Sequence, residues 1–135
     1  MGIGIWSKNN EDIRTHMGYG SFGKIRSKIA LAYNYELWCI MNEFLNTIDE
    51  SKRIELGKRF DSIYAIANRK AKIIMRFLCK KDTGASADKF MCKAIMELKN
   101  EILENNKDNE DFVNFYLNPF FQVVEDGCKK GIEWA

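Results

Sequence analysis

Apolar residues recur every three or four positions through most of the chain, a period that predicts a mainly α-helical fold. Phe22, Ile25, Ile29 and Ala32 share one side of a first helix, and Leu37, Met41, Phe44 and Ile48 continue that face. Asn34 is a candidate divide between two helices. The strongest period passes through Leu56, Phe60, Ile63, Ala67, Ala71, Ile74 and Leu78, read as one helix capped by Ser51. Lys80 and Lys81 near its end favour the negative helix pole. Met91, Ile95, Leu98 and Ile102 mark another helix, with Ser86 as its cap. A final run holds Phe112, Tyr116, Phe120 and Val124 after a cap at Asn109; Pro119, which lacks a backbone donor, is expected to break or kink it.

The two ends of the chain follow a different rhythm. GIGIW and GIEWA suit short strands, and the expectation is that Ile3 to Trp6 pairs with Ile132 to Trp134 in a small ribbon packed on helices. EDIRTHM does not read as a buried strand, whereas Gly18, Gly20 and Gly23 surround a turn, with Ser21 as the cap of the first helix. The architecture predicted is one helical domain over residues 1–135, a compact bundle of four or five helices with that terminal ribbon.

Composition supports a folded core. Of 135 residues, 46% are hydrophobic, including nine Phe, five Tyr and three Trp. A domain of this size buries roughly two-thirds of its unfolded surface without needing metals or disulfides. Cys39, Cys79, Cys92 and Cys128 are too widely spaced for a zinc ribbon and are expected to be mostly reduced core thiols. MGIGIWSKNNED has no basic leader before an apolar run, and no stretch reaches about 18 apolar residues. Gly2 is followed by Trp6 where a myristoylation signal needs Ser or Thr. The expected location is the cytoplasm, without a membrane partner.

The net charge of +2 hides an asymmetry. Residues 52–81 hold ten Lys or Arg against Glu55 and Asp61, a balance of +8; residues 82–126 hold ten Asp or Glu against four Lys, a balance of −6. Such an imbalance can steer a partner or be neutralised within the fold. Arg69, Lys72 and Arg76 project along one helical side, joined by Lys80 if the helix persists, and form the candidate partner-binding row. A solvated helix face is the plain reading of this row; an acidic protein segment is the sharper one, and nucleic-acid phosphates are the alternative.

Four motifs suggest chemistry and lack its context. GYGSFG fits G-x-G-x-x-G, but neither a βαβ pattern nor the spaced residues of a kinase accompany it, so turn formation is the better reading. DTGAS from Asp82 to Ser86 resembles the catalytic turn of aspartic proteases without their β-rich scaffold, leaving an interhelical turn at Gly84. Asp82 and Asp88 mimic two calcium-loop positions, but Ala87 and Lys93 occupy the places of the required Gly and Glu. His16 is the single histidine and has no closely spaced second ligand. These considerations give no catalytic residue, metal ligand or cofactor.

GYGSFGKIRSKIA is similar to the Phe-x-x-aromatic-Arg pattern of a family of small uncharacterised bacterial and phage helical proteins, with Ile25 in the second aromatic's place. Phe77 to Gly84 resembles that family's helix ending in an Asp/Gly turn, and Phe112 to Trp134 its terminal aromatic helix and short apolar tail. The resemblance implies a small accessory protein and brings no catalytic residues. The function expected is therefore a non-enzymatic protein-interaction or accessory domain, acting on a protein partner or by self-association. Nucleic-acid binding through the basic helix 52–81 is the alternative.

Overall fold

A computed structural model describes residues 2–135 and shows a mainly α-helical fold with a small antiparallel sheet. The chain begins with strands β1 (Gly2–Ser7) and β2 (Arg14–Gly18), then helices α1 (Tyr19–Tyr33), α2 (Tyr35–Asn46), α3 (Glu50–Ile66) and α4 (Arg69–Leu78). Strand β3 (Ala85–Ala87) precedes α5 (Lys89–Glu97) and α6 (Lys99–Asn105). The last helical run consists of α7 (Glu110–Phe112), a π-helical stretch (Val113–Leu117) and α8 (Asn118–Gly127), before strand β4 (Ile132–Trp134).

The expected ribbon exists: β1 and β4 are antiparallel, with Ile5 opposite Trp134 and Trp6 opposite Glu133. It is the centre of a four-stranded sheet in the order β2-β1-β4-β3. Alternation puts Ile3, Ile5 and Ser7 of β1 inside, alongside Ile132 and Trp134 of β4. The segment that does not read as a buried strand forms the edge strand β2; its one buried side chain is Met17, while Arg14 and His16 stay exposed. Charged, exposed positions are what an edge strand tolerates. Gly131 allows the last turn, with φ of +98°, and a Cβ there would fall 2.5 Å from the Ala87 carbonyl oxygen.

The helix boundaries correct several sequence expectations. The period through residues 51–78 belongs to two helices, because Asn68 adopts an extended backbone and its side chain caps α4 through the Ala71 amide. Asp49, rather than Ser51, caps α3, and Asp88, rather than Ser86, caps α5. Ser86 is instead paired in β3 opposite Glu133. Ser21 lies within α1, which starts after Gly18 without a side-chain cap. Asn34 does divide two helices, accepting the Leu37 amide, and Asn109 accepts the Phe112 amide as expected. The result is a more divided bundle than four or five helices.

Pro119 does not break the final run. Asn118 keeps helical angles, and its amide reaches back five residues to the Val113 carbonyl. A proline cannot donate to the carbonyl four residues earlier and its ring crowds that oxygen, so a wider π-turn is a local way to carry the helix through.

One core joins sheet and helices. Phe22, Phe77 and Trp134 meet in it, with Trp134 edge-on to both phenylalanines at ring separations of 5.4 and 5.9 Å. Of the thiols, Cys92 alone is buried; Cys39 and Cys128 are half-buried and Cys79 is exposed, so fewer of them are core thiols than expected. At the opposite end of β1, Ser7 Oγ and Asn9 Nδ2 donate to the Asp126 carboxylate. The Ser7 bond, aided by Asn9 and opposed by partial desolvation, holds that carboxyl below its ordinary value.

Gly131→Ala is expected to destabilise the fold by about 1–3 kcal/mol, the cost of positive φ together with displaced backbone, measured as a lower urea midpoint. For Asp126 the folded carboxyl is the stronger acid, so its stabilisation is complete above the unfolded pKa of about 3.9 and is lost as pH falls through the folded value. The stability gap between the native chain and Asp126→Asn should therefore shrink below about pH 4, which urea titrations at successive pH values would record; a gap independent of pH contradicts the assignment.

Candidate functional site

A cavity of about 520 Å³ opens between the α2–α3 hairpin and the body of the fold. Helical spacing places Ile40, Met41, Phe44 and Leu45 of α2 along one wall and Arg53, Leu56, Gly57, Phe60 and Asp61 of α3 along the other. Gly23 and Arg26 come from α1, while Leu78 closes α4 and is followed by Cys79, Lys80 and Asp82. A cavity of roughly 300–1,000 Å³ with apolar walls and a few polar groups is the usual form of a small-ligand site.

Arg26 sets the polar character. The residue is 5% exposed, yet it carries a charge. Its Nη1 donates to the Lys80 carbonyl at 2.5 Å and its Nη2 to the Lys81 carbonyl at 2.9 Å. The guanidinium carbon lies 4.3 Å from the Phe22 ring centre, 5.6 Å from Trp134 and 5.8 Å from Phe77. Asp82, the carboxylate paired with it, is 3.7 Å from Nη1, and its side chain is 76% exposed. Among the described residues Nε has no hydrogen-bond partner. Burial lowers the pKa of Arg26, with Asp82 and then Cys79 opposing that shift.

Cys79 is the thiol at this site. Desolvation raises its pKa, Asp61 raises it further and Arg26 works against both. A thiol shifted upward stays protonated at neutral pH, which is the reverse of nucleophile activation. Arg53 packs over the Phe44 ring at 4.4 Å, covering one side of the α2 wall.

The candidate row lies elsewhere. Arg69 and Arg76 are exposed and Lys72 is half-buried, on the side of α4 away from Ala71, Ile74, Met75 and Leu78. Among the described residues none of the three makes an ion pair; Lys72 sits 5.3 Å from the Tyr64 ring and Arg76 donates to the Lys72 carbonyl. Because α4 ends at Leu78, Lys80 leaves the row and lines the cleft instead. Arg69 borders a shallower groove with Lys70, Ile73, Phe90, Lys93, Ala94 and Glu97. Lys70 pairs with Glu97 there, joining the basic and acidic parts of the sequence.

The chemistry-like motifs separate in space or in type. The GYGSFG glycines lie at the cap and inside α1, following strand β2, so the stretch is helical rather than a phosphate-cradling loop. Gly84, with φ of +68°, makes the turn expected of DTGAS. His16 is exposed on an edge strand, and among the described residues no group of three or more His, Cys, Asp and Glu side chains is placed to hold a metal. Sequence reasoning passes over Arg26, although an arginine between Ile25 and Ile29 on an apolar helix face is the available signal. No family model, curated protein or solved structure matches the chain.

Arg26→Lys is expected to lower stability by about 2–4 kcal/mol, because a single ammonium cannot keep both charged hydrogen bonds and the ring stacking. Equilibrium urea unfolding monitored by tryptophan fluorescence checks this. A loss below about 1 kcal/mol would mean the guanidinium is dispensable.

Proposed function

We propose that this chain is a non-enzymatic interaction or accessory domain whose apolar contact surface is the tip of the α2–α3 hairpin. The observation that carries this reading is exposure: Leu45 is 61%, Ile48 100% and Ile54 56% exposed, and all three lie where α2 ends and α3 begins. Branched aliphatic side chains grouped on a projecting turn are costly to leave in water, and covering them contributes affinity to a partner or a second copy. The accessory role implied by the resemblance to small bacterial and phage proteins belongs to the same reading. So does a cytoplasmic location, which four unpaired thiols support. No helix of the described residues is long and apolar enough to cross a membrane.

Changing Ile48 and Ile54 together to lysine should weaken partner capture or self-association by about tenfold or more, since burying one isoleucine contributes about 1.5–3 kcal/mol. Light scattering after gel filtration and a pull-down with the folded variant measure this. Unchanged association of both kinds would overturn the reading.

The unpaired row on α4 favours a second reading, contact with nucleic-acid phosphates or an acidic protein face. Neutralising Arg69, Lys72 and Arg76 should leave the helical circular dichroism intact and weaken binding to mixed DNA or RNA at low salt. Loss of these contacts should also flatten the salt dependence, by about one unit of log–log slope per phosphate contact removed. Identical binding curves for the native chain and the triple variant would leave the row as a solvated face.

A further inference from the structure

We infer that the cleft between the α2–α3 hairpin and Arg26 is a binding site for a small amphipathic anion, an apolar chain or ring system ending in a carboxylate or sulfonate. This site adjoins the hairpin tip at Leu45 and differs from it in Ile48 and Ile54, neither of which lines it.

A guanidinium carries five N–H groups, and the two hydrogen bonds to Lys80 and Lys81 use two of them. Asp82 at 3.7 Å lies beyond hydrogen-bond distance, and among the described residues Nε has no partner. Buried polar groups are nearly always satisfied, and a buried charged donor is the most costly exception. A carboxylate or sulfonate supplies what the guanidinium lacks, several acceptor lone pairs and a negative charge. Arg53 and Lys80 add two further cations to the lining, against Asp61 and Asp82, so the site has an excess of positive charge.

Gly23 and Gly57 both line the cleft from within helices, and a Cβ built at either meets no atom within 4 Å. Glycine in a helix costs about 0.5–1 kcal/mol relative to alanine. Nothing in the fold requires its absence of a side chain at these positions, whereas an occupant lying against the helix backbones does. Ile40, Met41, Leu56 and Phe60 supply the dry walls for its apolar part.

The probe is 1-anilinonaphthalene-8-sulfonate, which pairs a fused apolar ring system with a sulfonate, titrated into the full chain under folding conditions. One saturable site with enhanced fluorescence is expected, displaced by decanoate and not by decylamine. Gly57→Leu fills the cleft and should weaken the probe by about tenfold or more while circular dichroism stays native. Asp82→Asn removes the competing carboxylate and should tighten it severalfold. Equal displacement by decanoate and decylamine overturns the inference, as does undiminished binding to a folded Gly57→Leu chain. Should that variant fail to fold, unaltered probe affinity in Asp82→Asn overturns it instead.

Discussion

A single buried guanidinium connects the parts of this fold that are far apart in sequence. Arg26 of α1 reaches two carbonyls that lie 54 and 55 residues away, beyond the end of α4. Trp134 of β4 donates to the second of these carbonyls as well. The turn after α4 has no helix or strand to satisfy its acceptors, so the side chains of α1 and β4 take that role. Desolvating a cation is costly, and here the cost is offset by charged hydrogen bonds and by three surrounding aromatic rings. Helical and sheet layers therefore meet at one polar point inside an apolar core, which fixes their relative placement in a way that aliphatic packing alone does not.

That anchoring explains why a cleft lies beside it. Arg26 holds the end of α4 against α1, while the extended backbone of Asn34 reverses the chain so that α2 packs back on α1, where Ser27 Oγ donates to Asn42 Oδ1. The chain must then return through α3 to the start of α4. Of its 17 residues only Leu56 is fully buried, so α3 leans on the body along a narrow line. The walls above Arg26 consequently stay open, and the hairpin tip projects with its aliphatic residues uncovered. The opening and the tip share a cause, because a helix with one buried side chain cannot cover both faces of its neighbour.

Much of the core was legible because periodicity reports burial directly. Ile25, Ile29, Ile74, Ile95, Phe120 and Val124 are all buried as their spacing implied. The terminal ribbon was legible for the same reason, alternation in Ile3 and Ile5 matched by Ile132 and Trp134. Strand β2 was hidden because an edge needs only Met17 inside. The long period through residues 51–78 concealed the break at Asn68, since two helices meeting at a short extended link preserve the spacing of apolar residues while changing direction. The α2 face misled in the opposite sense: Phe44 continues the stripe of Leu37 but is exposed, and Ile48 lies beyond the end of α2 in the link to α3.

The cleft was harder to read because its defining features are departures from the pattern. Arg26 interrupts an apolar face and Gly57 interrupts a helical one, and each is locally unfavourable. Sequences agree with their own folds at most positions, so an unfavourable choice with no intramolecular gain is where a requirement from outside the chain is most visible. Arg26 has a large intramolecular gain through Lys80, Lys81 and the aromatic rings, and its conflict is only partly resolved by the donors left over. Gly57 has none: the space in front of it is empty within the fold. The basic row on α4 presents no such conflict, since exposed Arg69 and Arg76 are good helix formers at home in water. The physical case for an occupant is therefore stronger at the cleft, where the fold gives up stability, than at the charged face, where it gives up nothing.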